Sequence, residues 1–229
     1  MVALLIIILI IACWVAWRMT HYNDSKWVKE RIVGRSDDQK AVIRYFCNEP
    51  GFLWKKPISD AEYDKMIQDF LEKNDFRQKA IDKIGLDESE IQEVEPVHLE
   101  GFVFDKDSFS KKGKDDLWRS SKYQISWLFF SANQVYLYQY TTNFDEDGRR
   151  EVTEEYFYKD VTNVSTSSDT VETETWDDKQ DKFILVNVNT FRFSITVPGD
   201  KLYCAAEPNE YVETSVKGMK SLLREKKNA

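Results

Sequence analysis

The sequence predicts an α+β protein with a single N-terminal transmembrane helix, a helical hairpin, and then an antiparallel β-barrel or sandwich of about seven strands closed by a C-terminal helix. Three observations carry this. Residues 2–17 hold no charged side chain, residues 59–85 place apolar residues at helical spacing, and most of residues 97–197 alternates β-branched and aromatic residues with polar ones. The chain divides accordingly into an anchor (1–19), a juxtamembrane segment (20–57), an acidic helical hairpin (58–95) and a β domain with its terminal helix (96–229).

As a helix, residues 2–17 span about 24 Å, slightly short of a hydrocarbon core of roughly 30 Å. Met1, Met19 and local thinning of the bilayer are expected to close the gap. Trp14 and Trp17 suit a membrane interface, and Arg18 can snorkel to it. No basic side chain precedes the run and no small-x-small cleavage site follows it, so an uncleaved anchor is expected rather than a signal peptide. Arg18, Lys26, Lys29, Arg31 and Arg35 all follow the helix. The positive-inside rule then makes this a single-pass protein of the cell membrane whose body is cytoplasmic. Lys26, Lys29 and Arg31, with Lys111 and Lys112 further on, are the candidate contacts for anionic lipid headgroups.

Ala41, Val42, Tyr45 and Phe46 have helical spacing, broken by Asn48-Glu49-Pro50-Gly51. Ser59-Asp60-Ala61-Glu62 is a capping box: serine and glutamate satisfy each other's orphan amides, so a helix starts there. Tyr63, Ile67, Phe70 and Leu71 form its apolar stripe. Phe76, Ala80, Ile81 and Ile84 form a second stripe, ending at Gly85, which suits a helix C-cap. Residues 87–94 add a short third helix. Residues 58–100 contain thirteen acidic and five basic side chains, a surplus that accounts for the net charge of −8 of the whole chain. That balance excludes a general nucleic-acid binder, which needs a surplus of lysine and arginine.

Residues 97–104 read as the first strand and the polar, lysine-rich residues 105–116 as a loop. Residues 123–130, 135–140 and 151–158 form an antiparallel meander whose second turn ends in Asp147-Gly148. Residues 161–167, 170–176, 183–188 and 191–197 supply further short strands before Pro198-Gly199 stops the sheet. After Pro208, Val212, Val216, Met219 and Leu223 make one stripe of a terminal helix that ends in Arg224, Lys226 and Lys227.

This order of elements resembles the pleckstrin-homology (PH) superfold over residues 97–227, and Tyr158-Lys159-Asp160-Val161 resembles a turn of bacterial PH-like domains. The whole chain resembles membrane-anchored proteins of Gram-positive bacteria, on stretches such as WRSSKYQISWLFFSANQVYLYQY and VPGDKLYC. The resemblance implies a PH-like barrel and brings no activity with it. PH-like scaffolds take either a lipid or a peptide, so the expected function is a non-enzymatic, membrane-anchored adaptor for a protein or peptide partner. Sensing of anionic lipid at the inner membrane surface is the alternative.

The candidate partner surface is the tyrosine face of the second meander strand, Tyr136, Tyr138 and Tyr140; a stripe packed under a helix is the competing reading. Asn143, Asp145, Asp147, Gly148 and Glu154 match five positions of a twelve-residue calcium loop, but both flanks read as strands, which favours a plain hairpin turn. Three cysteines at Cys13, Cys47 and Cys204 have neither metal spacing nor an even count, so no metal site, disulfide or cofactor is expected. His98 with Cys47 or Cys204 is the one imaginable thiol–imidazole pair. No nucleophile elbow or phosphate loop is present in the sequence, and no enzyme is expected.

Overall fold

The computed structural model describes residues 2–21, 25–48, 57–87 and 95–227. Six helices and nine strands are found among them: α1 (Val2–His21), α2 (Lys26–Arg31), α3 (Asp37–Phe46), α4 (Asp60–Lys73), α5 (Phe76–Ile84), β1 (Val97–Val103), β2 (Phe109–Lys112), β3 (Trp118–Ser120), β4 (Lys122–Phe130), β5 (Gln134–Asn143), β6 (Arg149–Phe157), β7 (Asn163–Asp177), β8 (Lys182–Val197), β9 (Asp200–Ala205) and α6 (Glu210–Lys227). The expected chain break at 49–51 and most of the expected short helix (88–94) lie outside the described residues.

Two expectations are corrected. Helix α1 forms where the apolar run lies, but among the described residues no helix is long and apolar enough to cross a membrane. The transmembrane anchor, the single-pass assignment and the cell-membrane location fall with it. The physical reason was already in the length, since about 24 Å of apolar helix does not span a core of roughly 30 Å. The PH-like barrel of about seven strands is replaced by two sheets, one of four strands in the order β1-β4-β5-β6 and one of five in the order β3-β2-β7-β8-β9. The strand count rose because residues 105–116, read as loop, contain β2, because Trp118–Ser120 adds β3, and because β9 follows Pro198-Gly199. It was offset by fusion: the four short strands expected between 161 and 197 are two long ones, β7 and β8, paired from Asn163↔Thr196 to Asp177↔Lys182. The polar residues that read as interruptions are satisfied within the hairpin, Thr190 Oγ1 donating to the Asp169 carbonyl and Ser167 Oγ to the Asp169 carboxylate.

The four-stranded sheet is apolar on both faces. Leu99, Leu128, Phe130, Val135 and Leu137 point inward to meet Phe193, Ile195 and Cys204 of the other sheet, and Val212, Val216, Met219 and Leu223 of α6 close that core. Each such side chain removed from water contributes about 1.5–3 kcal/mol. Tyr123, Ile125, Phe129 and Tyr138 point outward and are covered by α3, α4 and α5 through Tyr45, Phe46, Tyr63, Ile67, Phe76 and Ala80. A smaller cluster of Val28, Ile43, Cys47 and Trp176 holds α2 and α3 against the β7–β8 hairpin. The helical layer starts as its sequence dictates: Ser36 with Gln39, and Ser59 with Glu62, form complete capping boxes, and Gly85 ends α5 at φ +78°.

Candidate functional site

The expected partner surface is covered. Tyr138 is 0% exposed, its hydroxyl donating to Glu151 at 2.7 Å, and Tyr140 packs on Phe70 and Phe76 with ring centroids 6.3 and 5.0 Å apart. Tyr136 is half-buried in the same cluster. The face is core beneath the helices, as the competing reading had it.

The expected lipid-contact residues are dispersed and mostly engaged within the chain. Lys111 Nζ donates to the Tyr45 carbonyl at 2.9 Å and lies 4.2 Å from the Tyr45 ring centroid, and burial lowers its pKa. Lys112 pairs with Asp116 at 2.7 Å, Lys26 with Glu30 at 3.9 Å, and Arg31 lies over Trp27 and Phe109. Lys29 is exposed on α2.

The calcium-like turn is a hairpin closed by Asn143 N donating to the Gly148 carbonyl at 2.9 Å. Its acids face different partners. Glu146 accepts from Arg35 and Asn143, Asp147 accepts from Gln39 at 2.7 Å, and Asp145 is buried, which raises its pKa. Among the described residues no three metal-ligating side chains converge. Cys204 is fully buried beside Gln139 and Ser126, and burial pushes its thiol up to about 12, so no thiolate forms there near neutral pH.

The structure assembles a different site, a cleft of about 850 Å³ where α4, β1, the entry to β3, β8 and the β9–α6 connection meet. Its walls are Phe102, Phe104, Tyr123 and Phe191, with Ile67 below and Leu117 and Trp118 at the mouth. Asp64, Asp116, Arg119 and Glu207 are the charged groups in the lining. A largely apolar cleft with a few charged groups, at a junction of layers, is where ligand sites usually form.

Local contacts fix each wall. Tyr63 of α4 donates to the Ser120 carbonyl at 2.7 Å, and the Arg119 guanidinium binds Asp64 of α4 and Asp115 of its own loop, all at 2.7–3.0 Å. This locks β3 to α4. A Cβ on Gly113 would meet the side-chain ends of Arg119 and Asp115, so a larger residue there would have to push this network aside. On the far side the backbone of residues 205–206 crosses β1 closely, with Ala205 N donating to Gln124 Oε1 at 2.7 Å and Ala206 N to the Phe191 carbonyl at 3.3 Å. A Cβ on Gly101 would sit 3.3 Å from the Ala206 backbone, which shows how near β1 that segment runs. Glu207 follows directly, and so stands at the cleft rim.

The electrostatics of this corner are uneven. Burial, and then the charge of Glu207, raise the pKa of Glu100, while a hydrogen bond from Tyr123 partly offsets them. Burial, and then the charge of Asp64, raise the pKa of Glu207, which nonetheless keeps an open side to solvent and so keeps much of its hydration. His98 Nε2 lies 3.4 Å from Glu100, but burial lowers its pKa, so it is neutral at pH 7 and stacks on Trp127 at 4.6 Å. Tyr123 is held far above its ordinary pKa by burial and by Glu100, and it stays a phenol.

None of the cleft residues carried a sequence signal. They come from elements between α4 and the start of α6, with no fixed spacing, and the phenylalanines read as ordinary strand positions. Comparison with family models, with curated proteins and with solved structures gives no match.

Proposed function

We propose that this chain is a non-enzymatic binding module that recognises a protein or peptide partner, and that the cleft between α4, β1 and β8 receives it. One observation carries the reading: an aromatic-walled cleft of about 850 Å³ is built at the junction of both sheets and the helical layer, with rigid walls and an exposed apolar lip at Leu117, which is 62% exposed. Such a volume takes one or two side chains of a partner, and an apolar lip beside pre-formed aromatic walls is the composition of an interface centre.

The test is selection of peptides from a displayed random library on the folded chain, with a Leu117→Ser, Trp118→Ser variant as counter-target. The expected result is an enriched consensus whose affinity falls at least about tenfold on that variant. No enrichment, or a consensus that binds parent and variant equally, overturns the reading.

A further inference from the structure

We propose that two copies of this chain join along the free edge of β6, antiparallel and with Val152 opposite Val152, so that the four-stranded sheet continues from one copy into the other.

β6 ends the strand order β1-β4-β5-β6, and among the described residues it pairs only with β5. The pairing runs unbroken from Gln134↔Phe157 to Thr142↔Arg149. It is bracketed by Asn143 N donating to the Gly148 carbonyl at 2.9 Å and Tyr158 N donating to the Asn133 carbonyl at 3.1 Å. Hydrogen-bonded pairs alternate along an antiparallel ladder, so the even-numbered residues of β6 bond to β5. Arg149, Glu151, Thr153, Glu155 and Phe157 then turn their N–H and C=O groups to the open side. Such a row of unpaired backbone groups is a template for another strand.

The side chains select that strand. Charges on an edge commonly guard it against pairing, and for that purpose their order is immaterial. Here Arg149-Arg150 stand at one end and Glu154-Glu155 at the other, so the strand meets its own complement when reversed. Residues with outward backbone groups must face each other, which limits the register to steps of two. With Val152 opposite Val152, Arg149 faces Glu155 and Arg150 faces Glu154, each twice by symmetry, and Glu151 faces Thr153. The neighbouring registers set Glu151 against Glu151 or against Glu155, and the next ones set Arg150 against Arg150 or Glu154 against Glu154. Like charges directly opposite are repulsive, so one register remains.

These charges are unused within the chain. On β5 they face the neutral Thr142, Thr141, Leu137 and Tyr136, and none of the four forms an ion pair among the described residues. Glu154 and Glu155 accept hydrogen bonds from the neutral Tyr156 and Gln134. Glu151, which this register leaves opposite a neutral residue, is already held by Tyr138 and by Lys83 at 3.6 Å. The contact is isologous, uses up the edge on both copies, and so ends at a dimer.

The experiment is sedimentation velocity on the full chain at up to about 100 µM, with an all-acidic edge (Arg149→Glu, Arg150→Glu) and an all-basic edge (Glu154→Arg, Glu155→Arg). Thermal melting shows whether each variant is folded. The parent is expected to dimerise, each variant alone to dimerise at least about tenfold more weakly, and an equimolar mixture of the two to recover the parent's behaviour. Register is read with Val152→Cys in a Cys13→Ser background, where Cys47 and Cys204 are buried. The facing Cα atoms would lie about 4.5 Å apart, within reach of a disulfide, so diamide should give a covalent dimer. Thr153→Cys, whose Cα atoms would lie beyond roughly 7 Å, should not crosslink. This pair decides the question even where a charge variant fails to fold. Dimers indifferent to both charge variants, or Thr153→Cys crosslinking as readily as Val152→Cys, place the contact elsewhere and overturn the proposal. A monomeric parent also overturns it and leaves the edge to a strand from another protein.

Discussion

Replacing Arg119 by methionine is expected to destabilise the chain by about 2 kcal/mol, and the figure follows from how the guanidinium is held. Arg119 is 3% exposed and donates from Nε and Nη2 to Asp64 at 2.7 Å each, and from Nη1 and Nη2 to Asp115 at 3.0 and 2.7 Å. Charge-assisted bonds contribute about 1.5–3 kcal/mol each. Summing four overshoots, because the Asp64 and Asp115 side chains are both 43% exposed and recover water once the arginine is gone. Breaking a fully buried pair costs about 3–5 kcal/mol, and the open side of these partners reduces that to about 2 kcal/mol. For a chain of this length the loss lowers Tm by roughly 4–8 °C. Thermal unfolding followed by far-ultraviolet circular dichroism measures it. Acid provides the second arm. The hydrogen bond from Arg119 holds the Asp115 carboxyl at about 2, below its ordinary value. A depressed carboxyl stabilises the fold above its unfolded pKa of about 4, and the contribution fades as pH falls toward the folded value. The deficit of Arg119→Met is thus full near pH 7 and shrinks on acidification toward pH 2. A variant as stable as the parent at pH 7, or a deficit that stays constant in acid, would refute the reasoning.

Glu100→Gln is expected to stabilise the unliganded chain at pH 7, since a carboxyl with a raised pKa contributes stability below its unfolded value that is lost as pH rises through the folded one. Urea denaturation at pH 7 and again below about pH 4 should show the gain disappear in acid; no gain at pH 7 defeats the prediction. Tyr138→Phe keeps the ring under α5 and removes the bond to Glu151, costing about 1 kcal/mol, whereas Tyr138→Ala costs about 3–5 kcal/mol and opens the outer core; similar losses in the two variants would contradict the burial. A thiol reagent should react with Cys13 alone in the native protein and with all three cysteines in denaturant, because Cys47 and Cys204 are buried. Fast labelling of Cys204 under native conditions would show that the inner core opens.

Much of the architecture was legible because it rests on local rules. The capping box at Ser59, the C-cap at Gly85, the meander strand over residues 123–130 and the stripe of the terminal helix all fold as their spacing dictates. What could not be read depends on distant partners. Ser168 and Asp169 look like a strand break until Phe191 and Thr190 are set opposite them. Phe109 and Ser110 look like loop until β7 and β3 pair on either side. Tertiary pairing overrode propensity in both places. The cleft was illegible for the same reason, since Phe102 and Glu207 stand more than a hundred residues apart and come together in its lining only because residues 205–206 cross β1 at Gly101. The tyrosine stripe was visible, but whether a helix lies over it is not a property of the strand.

The four-stranded sheet, with one core on each face, also sets an order of events during synthesis. Helices α3, α4 and α5 leave the ribosome before any strand of the sheet they cover. About sixty residues separate the end of α5 from the end of β5, so at roughly 5–20 residues per second their apolar stripes wait about 3–12 s for Tyr123, Ile125, Phe129 and Tyr138 to arrive. In that interval Tyr63, Ile67 and Phe76 are uncovered, and they are the natural handle for a chaperone that binds nascent chains. A fragment starting at β1 reverses the exposure, presenting the bare outer wall of the sheet to water with nothing left to dock on it.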